Sequence, residues 1–153
     1  MSDGAVKEYS IMEKIVARCA GDRGFKCGWS ETVEIDGVKY HPHVNGGGLV
    51  AETAKVSETA FVGVYARVFG NAIVFDKARV FGNAIVYGNA EVYGNARIYD
   101  NAKVYGNAIV SGNAKIYGSA EVCSNAEAYG DARVYANARV SDNAEVSGNA
   151  RVK

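Results

Sequence analysis

The apolar residues of this chain follow a six-residue period over about two thirds of its length. Alanine stands at every sixth position from Ala54 to Ala150, which makes seventeen units, and Val or Ile follows two residues later except at Ala128. Alternate residues of a strand point to opposite faces, so the alanine and the aliphatic residue share an inner face. Each unit is therefore predicted to be a short strand whose variable residue points outward.

The letters between these strands are most often Tyr-Gly-Asn. Glycine tolerates a positive φ angle, and asparagine also enters the left-handed region and bonds its own backbone. These residues are typical of sharp corners. Strands and corners that repeat without interruption predict a coil.

The repeat V-Y-G-N-A-R and its variants, between Val56 and Val152, resemble the hexapeptide-repeat family. That resemblance implies an all-β fold, a left-handed parallel β-helix with three units in each triangular coil, so that seventeen units make nearly six coils. At about 4.8 Å per stacked strand the prism is expected to be roughly 27 Å tall. The units are also similar to those of bacterial and prophage proteins, many of them carried as transferases on resemblance alone.

Residues 1–48 differ from this pattern and are predicted to form a small N-terminal α+β cap on the β-helix of residues 49–153. Residues 31–41 alternate around Asp36-Gly37, as in a two-residue β-hairpin, and residues 45–48 are interpreted as a flexible glycine hinge. Earlier apolar residues recur at the three- and four-residue spacings of an amphipathic helix. They are Ala5, Tyr9, Met12, Val16 and Cys19. Because a β-helix end exposes unpaired strand edges, we interpret helix and hairpin as its cover.

Composition narrows the function classes only slightly. Seventeen Lys and Arg balance seventeen Asp and Glu, so the net charge gives no reason to expect nucleic acid or an anionic membrane as partner. Neither a run of eighteen apolar residues nor a secretion leader is seen, so no membrane association is predicted. Three cysteines at no disulfide-framework spacing fit a reducing compartment, and we expect a cytoplasmic protein.

Enzyme functions enter through the resemblance, because the family includes acyltransferases with a histidine between subunits and carbonic anhydrases with three zinc-binding histidines. The two histidines of this chain, His41 and His43, precede the first coil and are the candidates for catalysis. Together with Cys19 and Cys27 they make no familiar zinc spacing, so neither a metal nor a cofactor is predicted. A non-catalytic role is favoured, with an acyl-CoA-dependent acyltransferase as the alternative.

Outward residues eighteen positions apart are expected to stack in three columns, one for each wall of the prism. The first combines carboxylates with isoleucines, the second is basic, and the third is mixed. Their members are Lys55, Ile73, Glu91, Ile109, Glu127 and Glu145; Phe61, Arg79, Arg97, Lys115, Arg133 and Arg151; and Arg67, Ile85, Lys103, Glu121 and Arg139. Like charges on neighbouring strands destabilise a sheet, so the basic column is predicted to have a partner.

One predicted partner of the basic column is the first column of another subunit, in a parallel homotrimer. Three carboxylates are level with three arginines, and two isoleucines supply apolar contacts across a closed ring interface. The predicted interface residues are Ile73, Glu91, Ile109, Glu127, Glu145 and Arg151. This interpretation is favoured over the next.

The other predicted partner is an anion, such as a nucleotide-like small molecule, because cations beside aromatic rings bind phosphates and stack bases. Nucleic acid is not favoured, and a host protein is a further candidate partner. Both interpretations are compatible if the ligand lies in a groove between subunits. Its predicted contacts are Arg79, Arg97, Lys115 and Arg133, with Phe81, Tyr99, Tyr117 and Tyr135 in the next outward column.

Overall fold

The computed structural model describes residues 32–153, and these form twenty short strands without a helix. The predicted amphipathic helix lies outside the described residues. The strands are β1 (Val33–Ile35), β2 (Val38–Pro42), β3 (Leu49–Ala51), β4 (Lys55–Val56), β5 (Phe61–Val62), β6 (Arg67–Val68), β7 (Ile73–Val74), β8 (Arg79–Val80), β9 (Ile85–Val86), β10 (Glu91–Val92), β11 (Arg97–Ile98), β12 (Lys103–Val104), β13 (Ile109–Val110), β14 (Lys115–Ile116), β15 (Glu121–Val122), β16 (Glu127–Ala128), β17 (Arg133–Val134), β18 (Arg139–Val140), β19 (Glu145–Val146) and β20 (Arg151–Val152).

Three parallel sheets make the walls of a β-solenoid. The acidic wall contains β4, β7, β10, β13, β16 and β19; the basic wall contains β5, β8, β11, β14, β17 and β20; and the mixed wall contains β3, β6, β9, β12, β15 and β18. Each strand pairs with the strand eighteen residues away, so three strands make one coil and β3 to β20 make six coils. The predicted coil of three units per turn is confirmed. Its left-handed sense stays a prediction.

The core is the stack of inward residues that the six-residue period predicts. From Ala60 to Val134 every inward alanine and aliphatic residue is fully buried, including Ala128. Burial of one Val or Ile side chain contributes about 1.5–3 kcal/mol, and the coils repeat this contribution unit by unit. The alternation of small alanine with a larger aliphatic residue therefore accounts for the core.

The corners repeat as regularly as the strands. Gly94 has a φ angle of +70°, and a Cβ atom there would lie 3.0 Å from the backbone nitrogen of Gly112 in the next coil. Both the positive φ and this close approach require glycine at such a position. Side-chain amides also form ladders, since Asn71 Nδ2 donates to Asn89 Oδ1 at 3.4 Å and Asn89 Nδ2 donates to Asn107 Oδ1 at 3.2 Å.

The β1–β2 hairpin forms around Asp36 and Gly37, as the alternation of residues 31–41 predicts. Both turn residues have positive φ angles, 51° and 81°, which match the twist of a two-residue hairpin. Strand β2 pairs antiparallel with β3, so the hairpin extends the mixed wall at its N-terminal end.

The glycine segment of residues 45–48 lies across the N-terminal edge of the basic wall. Gly48 N donates to Val62 O at 2.9 Å, and Val62 N donates to Asn45 O at 3.1 Å. A Cβ atom at Gly46 or Gly48 would overlap the carbonyl oxygens of β5 and of the residue after it. These glycines therefore serve close packing, a role that the interpretation of a flexible hinge missed.

Candidate binding surface and N-terminal cavity

The basic wall carries five cations in one straight row, one on each coil from the second to the sixth. Backbone register places Arg79 beside Arg97, Arg97 beside Lys115, Lys115 beside Arg133 and Arg133 beside Arg151. At about 4.8 Å in water two unit charges repel by about 0.9 kcal/mol. Within residues 32–153 none of the five takes part in an ion pair. The predicted basic column is therefore real and has no anionic partner in the described part of its own chain.

Four aromatic rings stand next to this row, at the corner where the basic wall ends. Ring centroids are 5.0 Å apart between Phe81 and Tyr99, 5.0 Å between Tyr99 and Tyr117, and 5.3 Å between Tyr117 and Tyr135, with interplanar angles below 10°. The rings thus stack on each other at nearly the strand spacing. Neighbouring rings therefore leave no gap between them for a nucleobase, and binding of a nucleotide-like ligand by this wall stays a prediction. Their edges and hydroxyl groups remain for a ligand.

The hydroxyl group of Tyr99 in this ladder stays protonated at neutral pH. Burial raises the pKa of Tyr99 above its usual value, and neighbouring Tyr117 and Asp100 raise it further. A protonated phenol can donate a hydrogen bond to an anionic oxygen. The ladder therefore supplies donors beside the cations.

Similar ladders occupy the other two corners, which shows that ring stacking is a general feature of this coil. Phe69, Tyr87 and Tyr105 stack after the mixed wall, and Phe75 stacks on Tyr93 after the acidic wall, with centroids 4.8–4.9 Å apart. What distinguishes the basic wall is the combination of its ladder with five cations. Arg79 makes cation–π contacts at this corner. Its guanidinium carbon lies 5.0 Å from the ring centroid of Phe61 and 5.4 Å from that of Phe81.

The acidic wall places its carboxylates and isoleucines in the predicted column. Ile73 pairs with Glu91, Glu91 with Ile109, Ile109 with Glu127 and Glu127 with Glu145. Tyr129 Oη donates to Glu145 Oε2 at 3.3 Å, so one carboxylate is held by its own chain. The carboxylates of the acidic wall lie at the same levels along the solenoid as arginines of the basic wall. Glu91 and Arg97, for example, lie on consecutive strands of the same coil.

A polar cluster on the mixed wall was not identified from the sequence. Tyr105 Oη donates to Glu121 Oε2 at 3.0 Å, and hydrogen bonding to the buried Cys123, burial and Glu121 together raise the pKa of Tyr105. The same thiol, nearby Tyr105 and Glu121 raise the pKa of the Arg139 guanidinium. Cys123 takes the ladder position one coil after Tyr105, where a smaller side chain admits these contacts. The sequence did carry a sign of this cluster, because Cys123 interrupts the column of aromatic residues that Tyr105 belongs to.

The two histidines have different environments. His43 is 4% exposed, and its Nε2–H donates to Ala60 O at 2.9 Å. Desolvation lowers the pKa of His43, so the neutral ring that fits this contact is favoured. His41 is exposed on β2. No group of three or more His, Cys, Asp or Glu that could hold a metal occurs within residues 32–153, and Cys19 and Cys27 lie outside that range.

A cavity of about 500 Å³ lies beside His41, at the N-terminal edge of the acidic wall. Its apolar lining comes from both the first and the second coil, and Lys55 and Ser57 add polar groups. The apolar residues are Val50, Ala54, Val56, Ile73, Val74 and Phe75. The sequence pattern did not predict this cavity, because the six-residue period does not show which first-coil strand lacks a paired neighbour within residues 32–153.

Comparison with known proteins supports the repeat architecture. Residues 78–94, 96–112 and 102–118, which span β8 to β14, match the family model described as the YdcK β-solenoid repeat. No curated protein matches the chain, and residues 32–153 contain no helix able to span a membrane. The narrower assignment to the hexapeptide-repeat family stays a prediction. The six coils and the matched repeats identify the chain as a parallel β-solenoid repeat protein.

Proposed function

We propose that this protein is a non-catalytic cytoplasmic binding protein, assembled as a trimer, that holds an anionic ligand along the basic wall. The observation that carries the proposal is the row of five cations without an ion pair inside residues 32–153. Repulsion within this row is relieved when an anion binds. Five cations on successive coils favour a ligand with several anionic groups over one with a single charge.

The proposed ligand is recognised through its anionic groups. Guanidinium groups make bidentate hydrogen bonds to phosphate oxygens, and the hydroxyl groups of the tyrosine ladder add further donors. The stacked rings leave no space for a base between them, so a base contributes little. Inorganic tripolyphosphate is therefore expected to bind about as tightly as ATP.

The test is a calorimetric titration with ATP and with inorganic tripolyphosphate at two salt concentrations. The variant Arg97→Glu, Lys115→Glu, Arg133→Glu is expected to lose at least about tenfold in affinity, and wild-type binding is expected to weaken with salt. The matched control is Lys39→Glu, Lys55→Glu, Lys103→Glu, which changes the net charge equally at three exposed lysines outside the basic wall. Equal losses in both variants would mean attraction by net charge alone, and no binding to the wild type would reject the ligand proposal.

The proposed trimer places the acidic wall of one subunit against the basic wall of the next. Its support is the match in level between Glu91 and Arg97, Glu127 and Arg133, and Glu145 and Arg151, with apolar contacts from Ile73 and Ile109. Two different surfaces that meet around a three-fold axis close a ring. In this arrangement Arg79 and Lys115 are level with Ile73 and Ile109, not with carboxylates. These two cations, with the tyrosine ladder, would therefore remain for a ligand in the groove between subunits.

Native mass spectrometry tests the trimer. The variant Glu127→Arg, Glu145→Arg is expected to give monomers where the wild type gives trimers, because opposed charges become like charges across the interface. Glu34→Arg, Glu52→Arg is the control, since both glutamates are exposed outside the acidic wall. A wild-type monomer contradicts the interface while leaving anion binding intact. A host protein is the alternative partner of the basic wall, and it would bind in place of the small anion.

The acyltransferase alternative makes a different prediction. It requires binding of acyl-CoA and an acyl transfer that is lost when His41 or His43 is replaced by alanine, and the triple variant of the basic wall should leave both unchanged. Measuring acyl-CoA binding and acyl transfer in the histidine variants and in the triple variant therefore separates the two functions.

A further inference from the structure

The aromatic column after the acidic wall has one position without a ring between two positions with rings. Phe75 stacks on Tyr93 with ring centroids 4.8 Å apart, but the next residue of the column is Ser111, and Tyr129 follows it. The column as a whole contains Ser57, Phe75, Tyr93, Ser111, Tyr129 and Ser147. Within residues 49–153, the columns after the basic and the mixed wall have no such interruption between two rings. The serine therefore leaves a gap inside a ladder.

The gap has the thickness of one aromatic ring. Backbone pairing continues through it, since Tyr93 N donates to Val110 O at 3.0 Å and Ser111 N donates to Ala128 O at 2.9 Å. The backbones that carry Tyr93 and Tyr129 are thus two strand spacings apart, about 9.6 Å. A ring placed halfway would lie about 4.8 Å from each neighbour, within the range of about 4.5–7 Å that aromatic pairs adopt. We call the space between Tyr93, Ser111 and Tyr129 the Ser111 slot.

Side-chain exposure is consistent with an open slot. Tyr129, which has a serine on either side of it in the column, is 37% exposed within residues 32–153. Tyr99 and Tyr117, which have rings on both sides in the ladder of the basic wall, are less exposed. Ser111 itself is half-buried. The ring of Tyr129 therefore keeps surface that a stacked ligand can cover.

A glutamate lies where the outer edge of a ring in the slot is expected. Tyr129 Oη donates to Glu145 Oε2 at 3.3 Å, so a ring in this column reaches the glutamate sixteen residues later. The tyrosine–glutamate pair of the mixed wall has the same sixteen-residue spacing. The residue sixteen positions after Ser111 is Glu127. A ring in the Ser111 slot would therefore meet the Glu127 carboxylate at its edge.

Two tyrosine faces and a carboxylate select a particular ligand chemistry. The faces of aromatic rings attract cations, and a carboxylate accepts hydrogen bonds from N–H groups. We propose that the Ser111 slot binds a planar, positively charged heteroaromatic ring, such as an N-methylated purine nucleoside, whose N–H groups donate to Glu127. The proposal goes beyond the proposed anion binding and does not rest on it, because none of its contacts is a cation of the basic wall.

Calorimetric titration of the full-length chain with 7-methylguanosine and with guanosine tests this chemistry. At about pH 6 the two nucleosides have nearly the same shape, but only 7-methylguanosine has a positively charged ring. Because a cation between two tyrosine faces gains cation–π attraction, 7-methylguanosine is expected to bind at least about tenfold more tightly than guanosine. Equal affinities, or no binding of 7-methylguanosine to the wild type, would overturn the proposal.

Two serines of the same column provide matched variants. Ser111→Tyr inserts a ring between Tyr93 and Tyr129 and fills the slot, whereas Ser147→Tyr adds a ring on the other side of Tyr129 and leaves the slot open. Ser111→Tyr is expected to weaken 7-methylguanosine binding at least about tenfold and to raise the melting temperature, because it completes the ring stack. Ser147→Tyr is expected to keep the wild-type affinity. Unchanged binding in Ser111→Tyr would refute the slot.

A further variant removes one face of the slot instead of filling it. Tyr129→Ser introduces a residue that the same column already carries at three positions, and it is expected to weaken 7-methylguanosine binding at least about tenfold. This variant keeps the proposal falsifiable if Ser111→Tyr does not fold. Retention of wild-type affinity by Tyr129→Ser would contradict stacking in the slot.

Competition separates this site from the proposed anion site. An excess of inorganic tripolyphosphate is expected to leave 7-methylguanosine binding unchanged, and displacement would place the nucleoside on the basic wall and overturn the proposal. Glu127 also belongs to the proposed trimer interface, so native mass spectrometry records the oligomeric state of each variant. A monomeric wild type that binds 7-methylguanosine would reject the trimer and support the slot.

Discussion

The basic wall and the acidic wall have the same backbone and nearly the same inward residues, yet their outward surfaces carry opposite charge. Ala96 and Ile98 of the basic wall are fully buried, and so are Ala90 and Val92 of the acidic wall. The residue between each buried pair points away from the core, and it is Arg97 in the basic wall and Glu91 in the acidic wall. The difference teaches that the inward positions specify the fold and that the outward positions are free to vary in charge. Stability and binding are therefore expected to respond to different substitutions.

The largest expected effect comes from an inward residue of the basic wall. Ile98→Ala removes a fully buried side chain and is expected to lower the free energy of unfolding by about 2–5 kcal/mol. Arg97→Ala, one residue away but outward, is expected to change it by no more than about 0.5 kcal/mol. Urea denaturation of both variants measures the contrast. A cost at Arg97 equal to that at Ile98 would contradict the separation of inward and outward roles.

A corner substitution should have the next largest effect. Gly94 lies between the acidic and the basic wall, and a Cβ atom there meets both a positive φ and the backbone of Gly112. Gly94→Ala is therefore expected to cost about 1–3 kcal/mol. Gly148, in the same column, also has a positive φ, but a Cβ atom there would have no neighbour within 4 Å. Gly148→Ala is the control, and thermal unfolding should show a smaller loss there.

A charge change within the basic wall is expected to act in the opposite direction. Lys115→Glu places a carboxylate between Arg97 and Arg133, so two repulsions become attractions. The ligand-free protein should gain about 0.2–1 kcal/mol per cross-strand pair. Urea denaturation at low salt and at 1 M salt measures this, since screening should remove most of the gain. A loss of stability at low salt would show that the cations are already compensated in the free protein.

The smallest expected effect is a pH dependence of stability that comes from His43, at the N-terminal edge of the basic wall. His43 covers Ala60 at the start of the basic wall, and desolvation lowers the pKa of His43 in the folded chain. The unfolded chain then binds the proton first, so stability should fall as the pH drops through the ordinary histidine value of about 6.5. It should be unaffected by His43 above that pH.

Thermal unfolding between pH 8 and pH 5 tests this dependence. His43→Gln keeps a donor but cannot be protonated, so the difference between wild type and variant isolates the contribution of His43. His41→Gln is the control, because His41 is exposed. An equal pH response in all three proteins would assign the loss to other groups.

Much of this structure follows from the repeat, and the exceptions have physical causes. The period predicts the inward burial of Ala96 and Ile98 and the registered columns of Glu91 and Arg97, because sheet geometry converts spacing into position. The period did not predict the cavity, because the cavity depends on how residues before the repeat pair with the first coil. The stacking of Tyr99 on Tyr117 does follow from the period, because residues eighteen positions apart lie one strand spacing apart, which is close to a ring-stacking distance.

The eighteen-residue register has a further consequence for how such a protein changes over time. Loss or duplication of one complete coil, such as residues 87–104, rejoins every wall and the Asn71–Asn89–Asn107 amide ladder with the same neighbours as before. Each such event shortens or lengthens the row of cations by one. The number of cations in the row is therefore heritable as a count of coils, and it can be adjusted without the invention of a new surface.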